Sequence, residues 1–139
     1  MHVCHIEPMP NLTGLHHVAL TVSNRDASAE WYGRVLGMGE LFREEGEARR
    51  ASVMCFADGS FSVGLVEHRS TEGAPFSPSH RGLDHLAFTV ETKDEIDDWA
   101  QRLDDASVMN SGVIDIPRGA MLNFKDPDGI ALALFWERP

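Results

Sequence analysis

Apolar and polar residues alternate from His16 to Val22: Val18, Leu20 and Val22 fall on one side, His17, Ala19 and Thr21 on the other. A period of two with one apolar side is the mark of a strand that buries a single face, here predicted over 15–22. Asn24 then precedes a stretch in which Ala27, Trp31 and Val35 recur at helical spacing, up to about Leu36. Gly37 follows where a helix-ending glycine belongs. Three further strands are predicted at 39–44, 49–57 and 61–67, separated by Gly46 and by the turn pair Asp58-Gly59.

The series then returns. Gly14–Val22 and Gly82–Val90 agree at six of nine positions, at a constant offset of 68. The same offset sets Trp31 on Trp99, Arg34 on Arg102, Phe56 on Phe124 and Asp58 on Asp126. One residue later in register, Val63-Gly64-Leu65 falls on Leu132-Ala133-Leu134. An ordered set of matches along two half-chains is a duplication, and it governs the whole reading. In the second copy Thr92 and Glu95 form a capping box, and Ile96, Trp99, Ala100 and Leu103 give the apolar stripe. Strands are predicted at 110–116, 119–125 and 130–136, with turns at Pro117-Arg118-Gly119 and Asp126-Pro127-Asp128-Gly129. Trp31 and Trp99 are read as core residues, since both sit on the buried stripe of a helix.

The expected fold is α+β: two βαβββ modules, 13–68 and 82–139, pairing into a cup-shaped mixed sheet with helices on the outer face. Residues 69–81, rich in Ser, Gly and Pro, form the linker, and 1–12 a flexible lead-in.

The formal net charge of −10 argues against a nucleic-acid partner. No apolar run approaches the ~20 residues that span a bilayer, and the first residues lack the apolar stretch of a signal peptide. The expected location is the cytoplasm. Two cysteines, Cys4 and Cys55, fit a reduced protein better than a disulfide framework. His2, Cys4 and His5 have metal-ligating chemistry but no scaffold to fix them.

Leu15–Val22 with Trp31–Met38, and Gly82–Val90 with Phe124–Ile130, together resemble the vicinal oxygen chelate superfamily, the group of glyoxalases, bleomycin-resistance proteins and extradiol dioxygenases. The likeness runs from about Leu12 to Glu137. It implies a cup that holds a small molecule, commonly beside a divalent metal (iron, manganese, nickel or zinc). It also implies that first-strand residues His17 and His85 are the metal-ligand positions. The last-strand carboxylate of that family falls on Ala133 here, and its module-one counterpart on Gly64. No neighbour restores it by a register slip, because Glu67 and Glu137 lie on the wrong face or too far along the strand.

Two functions follow. One is a binding protein for a small organic molecule, with no cofactor and an incomplete metal site. Its cup is lined by Ala19, Thr21, Ser62, Gly64, Ala87, Thr89, Ala131, Ala133 and Phe135. The other is an enzyme, either a metal-dependent lyase or dioxygenase or a metal-free catalyst using His17 and His85 as acid–base groups. A homodimer is expected on the family likeness, side by side or by exchange of modules across the linker.

Overall fold

The computed structural model describes residues 9–71 and 73–139. Module one consists of β1 (His17–Thr21), α1 (Arg25–Leu36), β2 (Gly39–Glu44), β3 (Arg49–Cys55) and β4 (Ser62–His68). Module two consists of β5 (Leu86–Val90), α2 (Lys93–Asp105), β6 (Ile114–Ile116), β7 (Gly119–Lys125) and β8 (Ala131–Glu137). Each module makes its own four-stranded mixed sheet, in the orders β1-β4-β3-β2 and β5-β8-β7-β6. The first and last strand of each module pair in parallel and the rest antiparallel. The architecture is therefore the duplicated α+β one expected.

Local chemistry sets the element ends. Asn24 Oδ1 accepts from the Ala27 N–H at 2.9 Å, which caps α1, and Gly37 ends it in the left-handed region at φ 73°. In α2 the Thr92 hydroxyl accepts from the Glu95 N–H, while Glu95 reaches back to the N–H of Glu91, one residue earlier than a standard capping box. The helix stripes differ in detail from the sequence pattern. Ala27 is exposed, and α1 instead buries Ser28, Ala29, Trp31, Tyr32 and Val35. The strand expected over 110–116 shrinks to 114–116, with Asn110 forming one isolated bridge to Phe124. The Asn110 side chain explains the break: its amide donates to Asp104 and to the Val108 carbonyl, and its oxygen accepts from the Gly112 N–H, closing a turn.

One core serves both modules. Leu20, Val22, Tyr32, Val35, Met54, Val63 and Leu65 belong to the same buried cluster as Phe88, Ile96, Leu103, Leu122, Phe124 and Leu132. Contacts between modules include packing on the helix-bearing sides of the sheets and a hydrogen bond from the Ser23 N–H to the Asp128 carboxylate. Phe56 meets Phe88 edge-on with ring centroids 5.8 Å apart, and Trp31 approaches Phe124 at 6.3 Å. Arg102 on α2 donates to the carbonyls of Arg34 and Val35 at the end of α1. Among the described residues, no helix is long and apolar enough to cross a membrane.

Candidate functional site

The opposite sheet faces carry the candidate residues. Strand alternation sends Leu20 into the core and leaves His17, Ala19 and Thr21 exposed on the other side. Register extends this face across the sheet in three rows: His17, Ser62 and Cys55; Ala19, Gly64 and Val53; Thr21, Val66 and Ala51. In module two, Phe88 and Val90 point into the core, and Ala87 and Thr89 point out. Ala87 is in register with Ala133 and Asn123, and Thr89 with Phe135 and Met121. His85 stands immediately before β5, so the same register sets it beside Ala131, which pairs with Lys125.

The residues read from sequence as cup-lining thus share a face within each module. His17, Ala19, Thr21, Ser62 and Gly64 lie together, as do His85, Ala87, Thr89, Ala131, Ala133 and Phe135. Met121 also belongs to this face, whereas Met54 and Phe124 are buried on the helix side. Within the single chain the candidate residues border two separate hollows, one at the β1 edge that also reaches Asp128 and Ile130 of module two and one on the module-two face. Ala19 and Thr21 border one of about 510 Å³, together with Ala74, Pro75, Phe76 and Leu83 at or near the linker. His85 borders another of about 800 Å³ with Asp84, Met121, Asn123 and Lys125, and His17 lines neither.

Sequence reasoning missed three residues of the second hollow: Asp84, Asn123 and Lys125. Alternation along 119–125 was the available signal, since it puts Lys125, Asn123 and Met121 on one side and Phe124 and Leu122 on the other. The structure also shows the immediate partners of the histidines. Nδ1 of His85 lies 2.7 Å from the Asp84 carboxylate, and Nδ1 of His17 lies 2.7 Å from Nδ1 of His16. Offset 68 maps His16 on Asp84, so the duplication has given the two histidines different partners. A carboxylate at Nδ1 fixes the tautomer and leaves Nε2 of His85 free toward a ligand.

The donor set does not suit a divalent metal. Gly64 and Ala133 bring no donor to the floor of either sheet. Glu67 is on the far face, where it accepts from Arg50 and from the Arg25 N–H. Its carboxyl is held below the usual range, first by the Arg50 guanidinium and then by that backbone N–H. Among the described residues no group of three or more His, Cys, Asp or Glu side chains is placed to hold one ion, whereas catalytic metal centres draw at least three protein ligands. The set His2, Cys4 and His5 lies outside the described residues.

Known proteins share both sequence and fold with this chain. A solved domain from Frankia sp. EAN1pec, described as a glyoxylase/bleomycin resistance protein/dioxygenase domain, is 34% identical; the match covers 92% of this chain and all of that one, with a TM-score of 0.85. The uncharacterized protein YaeR of Escherichia coli (strain K12) is 27% identical across 91% of this chain and 98% of its own length. The putative ring-cleaving dioxygenase MhqA of Bacillus subtilis (strain 168) is 24% identical, with 91% of this chain matching only 40% of that protein. The family model of the Glyoxalase/Bleomycin resistance protein/Dioxygenase superfamily matches residues 14–134, nearly the whole length, and the chain belongs to that superfamily.

Proposed function

We propose that this protein binds a small organic molecule in a cup assembled from two half-cups, one from each of two copies, and that it does so without a resident metal. The observation that carries this reading is the floor of small residues. Ala19 faces Gly64 in one module and Ala87 faces Ala133 in the other, at equivalent positions. Small side chains there leave room above the sheet for an organic ligand. Each half-cup is open in the single chain, and Leu15, Leu41, Phe42, Leu83 and Met109 are exposed apolar residues. Exposed apolar side chains of this kind suit protein–protein or ligand contact, and a second copy is the partner that would close the cup.

Sedimentation equilibrium, combined with elemental analysis of protein purified without a His tag, tests the proposal. A dimer free of stoichiometric iron, manganese, nickel or zinc is expected. A monomer at every concentration overturns the shared cup, and one bound metal per chain overturns its metal-free character.

A second reading rests on Asp84 and His85. An imidazole whose Nδ1 is held by a carboxylate is equipped for proton transfer at Nε2, the arrangement general acid–base catalysts use. Under this reading the protein is a metal-free enzyme of lyase type, with His85 moving the proton and Asp84 positioning it. His17, paired with another imidazole, is the weaker base candidate.

A further inference from the structure

We propose that the module-two face recognises an oxyanion: Lys125 and Asn123 hold the anionic oxygens of a small organic acid whose apolar body lies over Ala131 and Ala133. This rests on the binding reading above and names its ligand class.

The placement follows from register. Lys125, Ala131 and His85 fall in one row across β7, β8 and the start of β5, and Asn123, Ala133 and Ala87 in the next. Neighbouring strands lie about 4.8 Å apart, so the lysine and the histidine flank a strip of alanines about 10 Å wide. Lys125, Ala131, His85 and Asn123 border the same hollow of about 800 Å³, and Ala133 and Ala87 continue its face in register. The strip is wide enough for a small ring or short acyl chain, with a cation on one side and an imidazole on the other.

The polar groups are unspent. Lys125 is exposed and makes no salt bridge among the described residues, whereas Lys93 pairs with Asp97 and Arg118 with Glu137. The half-buried Asn123 makes no side-chain hydrogen bond among the described residues; its backbone N–H donates to the Ser111 hydroxyl and its carbonyl accepts from the Ser111 N–H. Nearby Asn110 commits both ends of its amide to the protein. An uncommitted ammonium beside an uncommitted amide offers charge-assisted donors to a carboxylate or phosphonate. Among the described residues Asp84 is the only carboxylate bordering this hollow, and it is already paired with His85. Met121 and Met109 border the hollow and supply apolar contacts for the body of the ligand, with Phe135 beside Met121 in register.

The duplication gives an internal control. Row by row across the sheets, Lys125 corresponds to Cys55 and Asn123 to Val53, so module one has no cation and no amide at these positions. The two halves of the cup are chemically unequal, and the anion end of the ligand belongs to module two.

Titration of the isotope-labelled protein with benzoate, phenylphosphonate and neutral benzamide, followed by amide chemical shifts, tests the assignment. Benzoate or phenylphosphonate should bind at least about tenfold more tightly than benzamide and shift the Asn123 side-chain amide. The preference should fall as salt is raised, disappear in Lys125→Met and return in Lys125→Arg. Equal binding of benzamide and benzoate, or a preference that survives Lys125→Met, overturns the anion assignment while leaving the cup intact. If none of the three probes shifts any residue of either sheet face, the assignment and the binding reading fall together.

Discussion

The Tyr32 hydroxyl, on α1 of module one, donates a 2.9 Å hydrogen bond to Asp126 Oδ2 at the head of the β7–β8 turn of module two. Both residues are buried, and the other carboxylate oxygen of Asp126 accepts from the N–H groups of Asp128 and Ile130. Asp126 therefore shapes its own turn and ties it to the other module. Burial, and secondarily the Asp126 charge, pushes the Tyr32 hydroxyl far above its ordinary range, so it remains a donor at any working pH. Tyr32→Phe should lower stability by about 1–2 kcal/mol, and Asp126→Ala by about 2–4 kcal/mol because it also frees the turn. Urea denaturation checks both. Equal losses would mean that the turn contributes nothing beyond the tyrosine bond.

Gly119 opens β7 where no side chain fits. A Cβ built there would collide with the carbonyl of Trp136 on the neighbouring strand. That neighbour is backbone, so relief requires the β7–β8 pair to part at this end. Gly119→Ala should cost about 3 kcal/mol or more, visible as a thermal midpoint many degrees lower, whereas Gly39→Ala, with open space at its Cβ, should cost little. Comparable midpoints for the two variants would contradict the close approach.

Much of this was readable from the chain. The repeat marks two equal modules, and the one-residue change of offset between Asp58 and Val63 sets Gly64 and Ala133 at equivalent positions, where the structure has them facing Ala19 and Ala87. Strand alternation and capping residues are local, so they survive into the fold intact. The way the modules meet is not local. Nothing in the sequence marks Tyr32 as the partner of Asp126, or Arg102 as the residue that caps the carbonyls of α1. The faces of β7 are hard to read because Met121 and Phe124 are both large and apolar yet fall on opposite sides, and that hides Asn123 and Lys125. His85 was legible as a site residue, but its adjacent Asp84 carried no pattern that distinguished it from a surface acid.

Acid should weaken this protein through Glu67. Arg50, and then the Arg25 N–H, hold its folded pKa below the unfolded value of about 4.3. For a depressed carboxylate the stabilisation is present above the unfolded value and is lost as pH falls through the folded one. Asp126 acts in the opposite sense: burial raises its folded pKa, so its contribution is present at low pH and lost as pH rises through that raised value. Denaturation midpoints measured from about pH 6 down to about pH 3 should fall at the acid end. The fall should be shallower in Glu67→Gln, which has no charge left to lose. An unchanged slope in that variant would assign the acid loss to other carboxylates.

The absent metal ligand can be put back. Ala133 stands in register with Ala87, one row from His85, at the position where the superfamily resemblance calls for a carboxylate. If the cup retains the ancestral geometry, the histidines from the two half-cups and a restored acid make the three-ligand set that divalent metals take. Ala133→Glu should then bind Ni²⁺ or Zn²⁺ at least about tenfold more tightly than the parent protein, with Ala133→Gln as the uncharged control. Calorimetric titration measures it, and His85→Ala in the same background should abolish the gain. A variant that folds, dimerises and gains nothing would show that the imidazoles no longer converge on that position. The small-residue floor would then be a site remodelled for an organic ligand rather than a metal centre lacking one side chain.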